Sequence, residues 1–342
     1  MNTSDRVILT DLHPRRADVI FNQRDRARLK RLGRVVWHDG TAIPDVIVEQ
    51  NLPDSIALIG QTPMPRERLD RAPHLRAVIN VEGNFYPNID YAECQRRGIP
   101  VLVVAPFFAQ PVAEMTLGLA LAAARRITEA DAAIRRGDES LYGDKDNYDS
   151  FLLKGQTLGL LGCGNLGRAL LPLLRPFTRD ILVHDPWIHP GVLRGMDVEP
   201  VILDDLFARS RVVFILAATT TENQKSIGAR QFGAMRQGSV VVLTSRASVV
   251  DFEALLDAAA SGHIRAAIDV FPQEPIPPDH RARRTPNTVL SAHRAGNIPE
   301  TWTGMGEMVV DDLELILADL PPQRCQRASL ETVMRFRSKP AV

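Results

Sequence analysis

Short apolar runs recur through the first hundred residues, at 6–10, 35–38, 55–60, 75–81 and 101–104, with helix-period stretches such as 24–32 and 91–97 between them. Strand-length runs alternating with helical patterns point to parallel βαβ units, so this part reads as a first α/β unit. The stretch 110–124 breaks the alternation. Val112, Ala113, Met115, Leu117, Leu119, Ala120 and Leu121 leave it no polar face, and a helix apolar all round is normally buried. Pro111 suits a first helical turn. Glu114, the one charge in that run, is expected to be a buried structural anchor with a partner.

Residues 125–152 are polar and irregular and read as an extended arm or loop. A second alternation follows, with strands expected at 157–162, 180–184, 212–216, 239–245, 266–270 and 288–292. Strands spaced by helix-sized or shorter gaps favour a doubly wound sheet. After a break at 296–299, the stretch 300–320 is helical in pattern, with Met305, Met308, Val309, Leu313 and Ile316 on one face. Pro321 and Pro322 stop it, and a tail carrying Arg324, Arg327, Arg335, Arg337 and Lys339 reads as a solvated or docked segment.

A length of 342 residues suggests two domains. Lys and Arg total 41, as do Asp and Glu, so net charge gives no reason to expect nucleic acid or an anionic membrane as partner. No apolar run uninterrupted by charge or turn residues reaches about 18 residues, so a membrane span is not expected. The polar start leads straight into the first strand and lacks the apolar core of a secretion signal. The three cysteines, Cys94, Cys163 and Cys325, are far apart. That pattern argues against a disulfide framework or a structural zinc site and fits a reducing cytoplasm. No metal is expected.

The chemistry begins at Gly162-Cys163-Gly164-Asn165-Leu166-Gly167, a G-x-G-x-x-G between an apolar strand and a helical pattern. Gly162 allows a tight turn, Gly164 lets backbone approach a pyrophosphate, and Gly167 lets helix and strand pack closely. The helix start offers N–H groups and partial positive charge to phosphates. The next strand ends at Asp185-Pro186, near the spacing expected of the ribose-binding carboxylate. That carboxylate would repel a 2′-phosphate, so NAD(H) is the expected cofactor. Cys163 reads as a small side chain under the sheet.

Three later strands end in Arg246, Glu274 and His293. Ligands of open α/β sheets bind beyond the carboxyl ends of the strands. An arginine fork suits a substrate carboxylate. A histidine suits the proton that a carbonyl oxygen needs as hydride arrives at its carbon. A carboxylate on the far ring nitrogen would hold the tautomer and favour the imidazolium. Asp269 has two readings, an acceptor for the nicotinamide carboxamide or a loop cap.

These motifs, together with Val112-Ala-Glu-Met-Thr-Leu-Gly-Leu119 and Ser291-Ala-His-Arg-Ala-Gly296, resemble the D-isomer-specific 2-hydroxyacid dehydrogenases over nearly the whole chain. The resemblance implies a Rossmann-type doubly wound NAD-binding domain (107–298) and a discontinuous, flavodoxin-like α/β substrate domain (1–106 and 299–342). It implies Arg246 as carboxylate ligand, Glu274 as partner of the acid, and His293 as acid/base. It further implies cofactor contacts at Gly162, Gly164, Asn165, Leu166, Gly167, Asp185, Pro186, Ala217, Ala218, Thr244, Ser245, Asp269 and Gly296. Substrate contacts fall on Gly83, Asn84, Phe85 and Arg246, and the arm near 125–150 resembles the family's dimer-forming segment, so a homodimer is expected.

The chain also departs from the family. The usual L-P-x-T segment reads Leu216-Ala-Ala-Thr-Thr220, Ala247 and Ser248 stand where glycines are usual, and Met115 stands where histidine is usual. The substrate loop reads Val81-Glu-Gly-Asn-Phe-Tyr86, and Asn84, Phe85, Tyr86, Phe107 and Phe108 are expected to shape its pocket. The reaction expected is interconversion of a 2-oxo acid and a D-2-hydroxy acid. Formate is disfavoured because Glu274 stands where a formate enzyme resembles a form with Gln. The alternatives are an NAD-sensing, co-repressor-like protein and an oxidant of an inorganic or one-carbon anion.

Overall fold

The computed structural model describes residues 5–38, 40–143 and 149–335. Its strands in chain order are β1 (Val7–Asp11), β2 (Arg34–Val36), β3 (Ser55–Gly60), β4 (Ala77–Asn80) and β5 (Val101–Val103). Then come β6 (Leu158–Leu161), β7 (Ile181–His184), β8 (Glu199–Pro200), β9 (Val212–Ile215), β10 (Ser239–Leu243), β11 (Ile264–Ile268), β12 (Thr288–Leu290) and β13 (Gln326–Arg327). The chain divides into two compact units, Met1–Phe108 with Asn297–Val342, and Ala109–Gly296.

The first unit holds a sheet ordered β13-β5-β4-β3-β1-β2. Alternation along the strands decides its layers, because successive side chains leave opposite faces. Ile8, Ile59 and Ile79 pack on one side with Met305, Val309 and Leu313. Leu9, Leu58 and Val78 pack on the other with Val48, Leu69 and Cys94. Both faces are covered, as a parallel sheet requires. The helix Pro299–Leu317 therefore belongs to this unit. Beyond it, the fully buried Asp312 carboxylate accepts the N–H groups of Gln323 (2.7 Å), Arg324 (3.0 Å) and Cys325 (2.6 Å). That cap turns the chain so that β13 pairs antiparallel with β5. Part of the basic tail is thus docked: Arg324 is ion-paired with Asp311, while Arg337 and Lys339 lie outside the described residues.

The second unit holds an all-parallel sheet ordered β12-β11-β10-β9-β6-β7-β8. The chain order reverses between β6 and β9, the switch point where ligands bind in doubly wound sheets. The helix Ala109–Ala124 buries Ala113, Leu119, Ala120 and Ala123 among Leu158, Leu160, Val240 and Val242.

Two expectations, for Glu114 and for the arm, need correction, and two further findings extend the reading. Glu114 is exposed, not buried, and its carboxylate accepts a hydrogen bond from Gln110 Nε2 at 2.8 Å. The run 105–124 is long and apolar enough by composition to cross a membrane; a 3₁₀ turn joins it to the helix, and its buried positions sit in the core of the protein. The arm contains a helix, Ile127–Arg135, missed because its Ile127 and Ile134 face outward (54% and 62% exposed) and give no core-facing stripe. Residues 144–148 of the arm lie outside the described residues. The sheet also gains β8, two residues long and too short for any periodicity.

Candidate active site

The glycine loop leaves β6 and enters the helix Asn165–Leu174. Gly162 sits at φ +93°, and a Cβ there would lie 2.9 Å from the Ala217 backbone. Only glycine meets both conditions. A Cβ on Gly167 would lie 2.7 Å from the Gly162 carbonyl oxygen, so helix and loop touch. Gly164 is different: a Cβ there meets nothing within 4 Å. The first two glycines of this comparison are needed for packing, while Gly164 leaves the surface above the helix start clear. The first intrahelical bond runs from Arg168 N–H to Gly164 O at 3.0 Å, so the N–H groups of Leu166 and Gly167 have no intrahelical acceptor. A clear surface over oriented N–H groups fits a dinucleotide phosphate.

Asp185, one residue past β7, accepts the Cys163 N–H at 2.8 Å through Oδ2 and the Trp187 N–H at 2.9 Å through Oδ1. The glycine loop and the carboxylate are therefore joined directly. A carboxylate has about four acceptor sites, which leaves capacity for ribose hydroxyls. Ala217 lies against Gly162, and Ala218 O accepts from Asn223 Nδ2 at 2.8 Å. Pro186 is exposed.

At the end of β10, buried Thr244 meets Thr116 hydroxyl to hydroxyl at 2.7 Å. Thr116 also lies 2.6 Å from Val112 O, to which its single hydrogen is donated. Thr244 is then the donor to Thr116 and keeps its lone pairs as acceptors. Ser245 Oγ donates to Ile215 O at 3.0 Å, and Arg246 donates to Ser245 O at 2.7 Å. Thr116 escaped the sequence reading; its one signal is a polar residue inside an apolar helix.

Glu274 and His293, nineteen positions apart, meet at the edge of the sheet. His293 Nδ1 lies 2.5 Å from Glu274 Oε2, and the other carboxylate oxygen accepts the Phe271 N–H at 2.8 Å. Burial alone would raise the Glu274 carboxyl. The hydrogen bonds from His293 and the Phe271 N–H, with the nearby His293 and Arg246 charges, outweigh it and hold the group below the usual carboxylate range. The three strand-end residues are thus electrostatically connected.

His293 itself has φ +51°. A left-handed non-glycine residue costs about 1–2 kcal/mol and persists where its surroundings over-determine it. Asp269 does so. It is fully buried, its carbonyl accepts the His293 N–H at 2.8 Å, and its carboxylate accepts from Arg294 (3.0 Å) and Ala295 (3.1 Å). Of the two readings of Asp269, the cap is present. Gly296 is buried beyond it.

The expected substrate loop follows β4 in the first unit. Asn80 braces it: its Oδ1 accepts the Glu82 N–H at 2.9 Å, and its Nδ2 lies 3.5 Å from Asn84 O. Gly83 and Asn84 are partly exposed. Phe85 and Tyr86 are buried (3% and 9% exposed), and Phe85 packs edge-on against Tyr91 with centroids 6.3 Å apart. Among the described residues, no cluster of three or more His, Cys, Asp or Glu is placed to hold a metal.

Residues 117–295 match the family model described as the D-isomer specific 2-hydroxyacid dehydrogenase, NAD binding domain. Over 311 residues the chain is 36% identical to a glyoxylate reductase of Thermofilum pendens, covering 86% of this chain and 88% of that protein. It is 29% identical to a D-3-phosphoglycerate dehydrogenase of Methanocaldococcus jannaschii, covering 84% of this chain but 54% of that one. A solved phosphoglycerate oxidoreductase from Rhizobium etli is 41% identical, with a TM-score of 0.84 over 95% of this chain and 98% of its own.

Proposed function

The chain belongs to the D-isomer-specific 2-hydroxyacid dehydrogenases and carries their NAD-binding domain, and from that membership we propose that it reduces a small 2-oxo acid to the D-2-hydroxy acid through Arg246, Glu274 and His293. The observation that carries this reading is the His293–Glu274 contact at 2.5 Å beside the Arg246 charge. Gly162, Gly164, Asn165, Leu166 and Gly167 would hold the pyrophosphate, and Asp185 the adenosine ribose. Pro186, Ala217 and Ala218 would line the adenosine side, and Thr244, Ser245, Asp269 and Gly296 the nicotinamide side. When bound, the dinucleotide supplies the hydride.

The residues do the rest. Arg246 binds the substrate carboxylate with its planar fork and fixes which way the carbonyl faces. His293 has Nδ1 committed to Glu274, so Nε2 is the nitrogen that gives its proton to the carbonyl oxygen. Glu274 holds that tautomer and offsets the ring's charge. In the oxidative direction the same Nε2 removes the hydroxyl proton.

The test is NADH oxidation with glyoxylate, hydroxypyruvate, pyruvate, phenylpyruvate and branched-chain 2-oxo acids, with NADPH run in parallel. Turnover with a 2-oxo acid is expected, faster with NADH because the Asp185 carboxylate repels a 2′-phosphate. A protein that binds NADH yet turns over none of these acids would overturn the proposal.

Glu274→Gln checks the pairing through the pH dependence of stability. A carboxyl held below its usual range contributes stability above that range and loses it as pH falls through its depressed value. The deficit of Glu274→Gln in thermal unfolding is therefore expected near neutrality and should shrink on acidification. A deficit that stays the same from neutral to acid pH contradicts the pairing.

We also propose a homodimer. Ile127, Ile134, Tyr142 and Leu152, on and around the arm, are 54–66% exposed, and large exposed apolar side chains grouped in one segment mark association surfaces. Sedimentation equilibrium should give twice the chain mass; a monomer mass at all concentrations would remove this claim.

A further inference from the structure

Two segments, 216–220 and 247–248, meet in the second unit. Thr219 Oγ1 lies 2.6 Å from Ser248 Oγ, with either able to donate. Thr219 is buried and Ser248 is exposed, so this is a pair at the rim of the fold and not part of its core. The backbone around it is docked as well. Ser248 O accepts the Lys225 N–H at 2.8 Å, Val249 O accepts from Ile227 at 3.3 Å, and Asp251 N–H donates to Ile227 O at 2.7 Å. Those three bonds hold the distal end, 248–251. The hydroxyl pair adds a side-chain tie at the end nearer Arg246, which caps the short 3₁₀ turn Ala247–Val249.

The other side of the pair is equally fixed. Asn223 closes the 218–220 loop by donating to Ala218 O at 2.8 Å and accepting the Thr220 N–H at 2.7 Å. Ala217, next along, lies against Gly162 of the glycine loop. A continuous set of contacts therefore runs from Gly162 through Ala217 and Thr219 to Ser248 and the Arg246 turn.

We propose that the Thr219–Ser248 hydroxyl pair is a positioning latch that holds the Arg246 turn against the loop lining the dinucleotide site, and so sets the affinity for the substrate carboxylate. The inference rests on the reading of Arg246 as carboxylate ligand. Neither hydroxyl touches substrate; both act through Arg246.

The experiment compares Thr219→Val, Ser248→Ala, the double variant and Thr219→Ser in the NADH-linked assay with the best 2-oxo acid. Each single loss is expected to raise KM for the 2-oxo acid about 3- to 10-fold, the range of one hydrogen bond. The change in kcat should be smaller. The double variant should be no worse than the worse single, because one shared interaction is lost once. Thr219→Ser keeps the hydroxyl and should keep a near-wild-type KM. An unchanged KM in both single variants, with or without a lower melting temperature, overturns the latch, as does full additivity in the double. Ser248→Ala, at an exposed position, keeps the test open should Thr219→Val fail to fold. Wild-type turnover in the same assay tests the Arg246–His293 reading separately. Hydrogen exchange at 246–249 reads the latch without turnover: faster exchange is expected in both single variants, and unchanged exchange counts against it.

Discussion

Replacing His293 with Ala is expected to lower kcat for 2-oxo acid reduction by at least about 10²-fold, the lower end of what a positioned general acid contributes. In the proposed reaction Nε2 gives the proton, and no other described residue of the 293–295 turn has a side chain suited to that exchange near neutrality. The backbone complicates this variant, because position 293 is left-handed. Alanine there is strained, and a collapsed turn would also lose activity. His293→Asn separates the two causes, since asparagine tolerates this conformation better than most residues. Both variants should keep NADH binding, because the glycine loop and Asp185 lie on other strand ends. Near-wild-type turnover in a folded, NADH-binding His293→Asn protein would sink the assignment.

Arg246→Ala is the second large effect. Truncating one partner of a desolvated charged pair costs about 2–4 kcal/mol, or roughly 30- to 1,000-fold in kcat/KM. Most of it should appear as a higher KM, because the carboxylate is bound in both ground and transition states. Arg246→Lys keeps the charge but not the planar fork, so it should fall between wild type and Ala. Glu274 offers an internal check. The Arg246 charge is one of the influences holding its carboxyl down, so losing it should raise that group toward the usual range. An Arg246→Ala enzyme with wild-type KM for every 2-oxo acid tested would remove the arginine from substrate binding.

Much of the second unit was legible in its sequence because local rules and tertiary rules agree there. The apolar run before Gly162, the glycine spacing and the acid after the next strand each follow from one local requirement, and all three recur in the coordinates. The 55–60 run matches β3 residue for residue because it is buried throughout and polar Asp54 and Gln61 mark its ends. What escaped depends on partners distant in the chain. Thr116 and Thr244 are 128 positions apart, and nothing local marks either as the other's partner. The left-handed geometry of His293 is braced by Asp269, and nothing local in the sequence marks Asp269 as the acceptor of three backbone N–H groups at 293–295. The burial of Phe85 and Tyr86 likewise depends on a partner: Tyr91, the first residue of the helix Tyr91–Arg96, packs edge-on against Phe85 and donates its hydroxyl to Tyr86 O at 2.6 Å. The helix Ile127–Arg135 was hidden because its apolar side chains face solvent in the single chain. A helix without a buried apolar stripe gives no periodic signal to read.

The most direct test of the central claim is the configuration of the product. The fastest substrate of the panel that has a carbon at C3, such as hydroxypyruvate or pyruvate, is reduced with NADH by wild type and by His293→Asn. The 2-hydroxy acid is then resolved by chiral chromatography. The account predicts the D isomer from wild type, formed in step with NADH loss, and at least about 10²-fold less of it per enzyme from the variant. The L isomer, or a D product formed equally fast without the histidine, would contradict it.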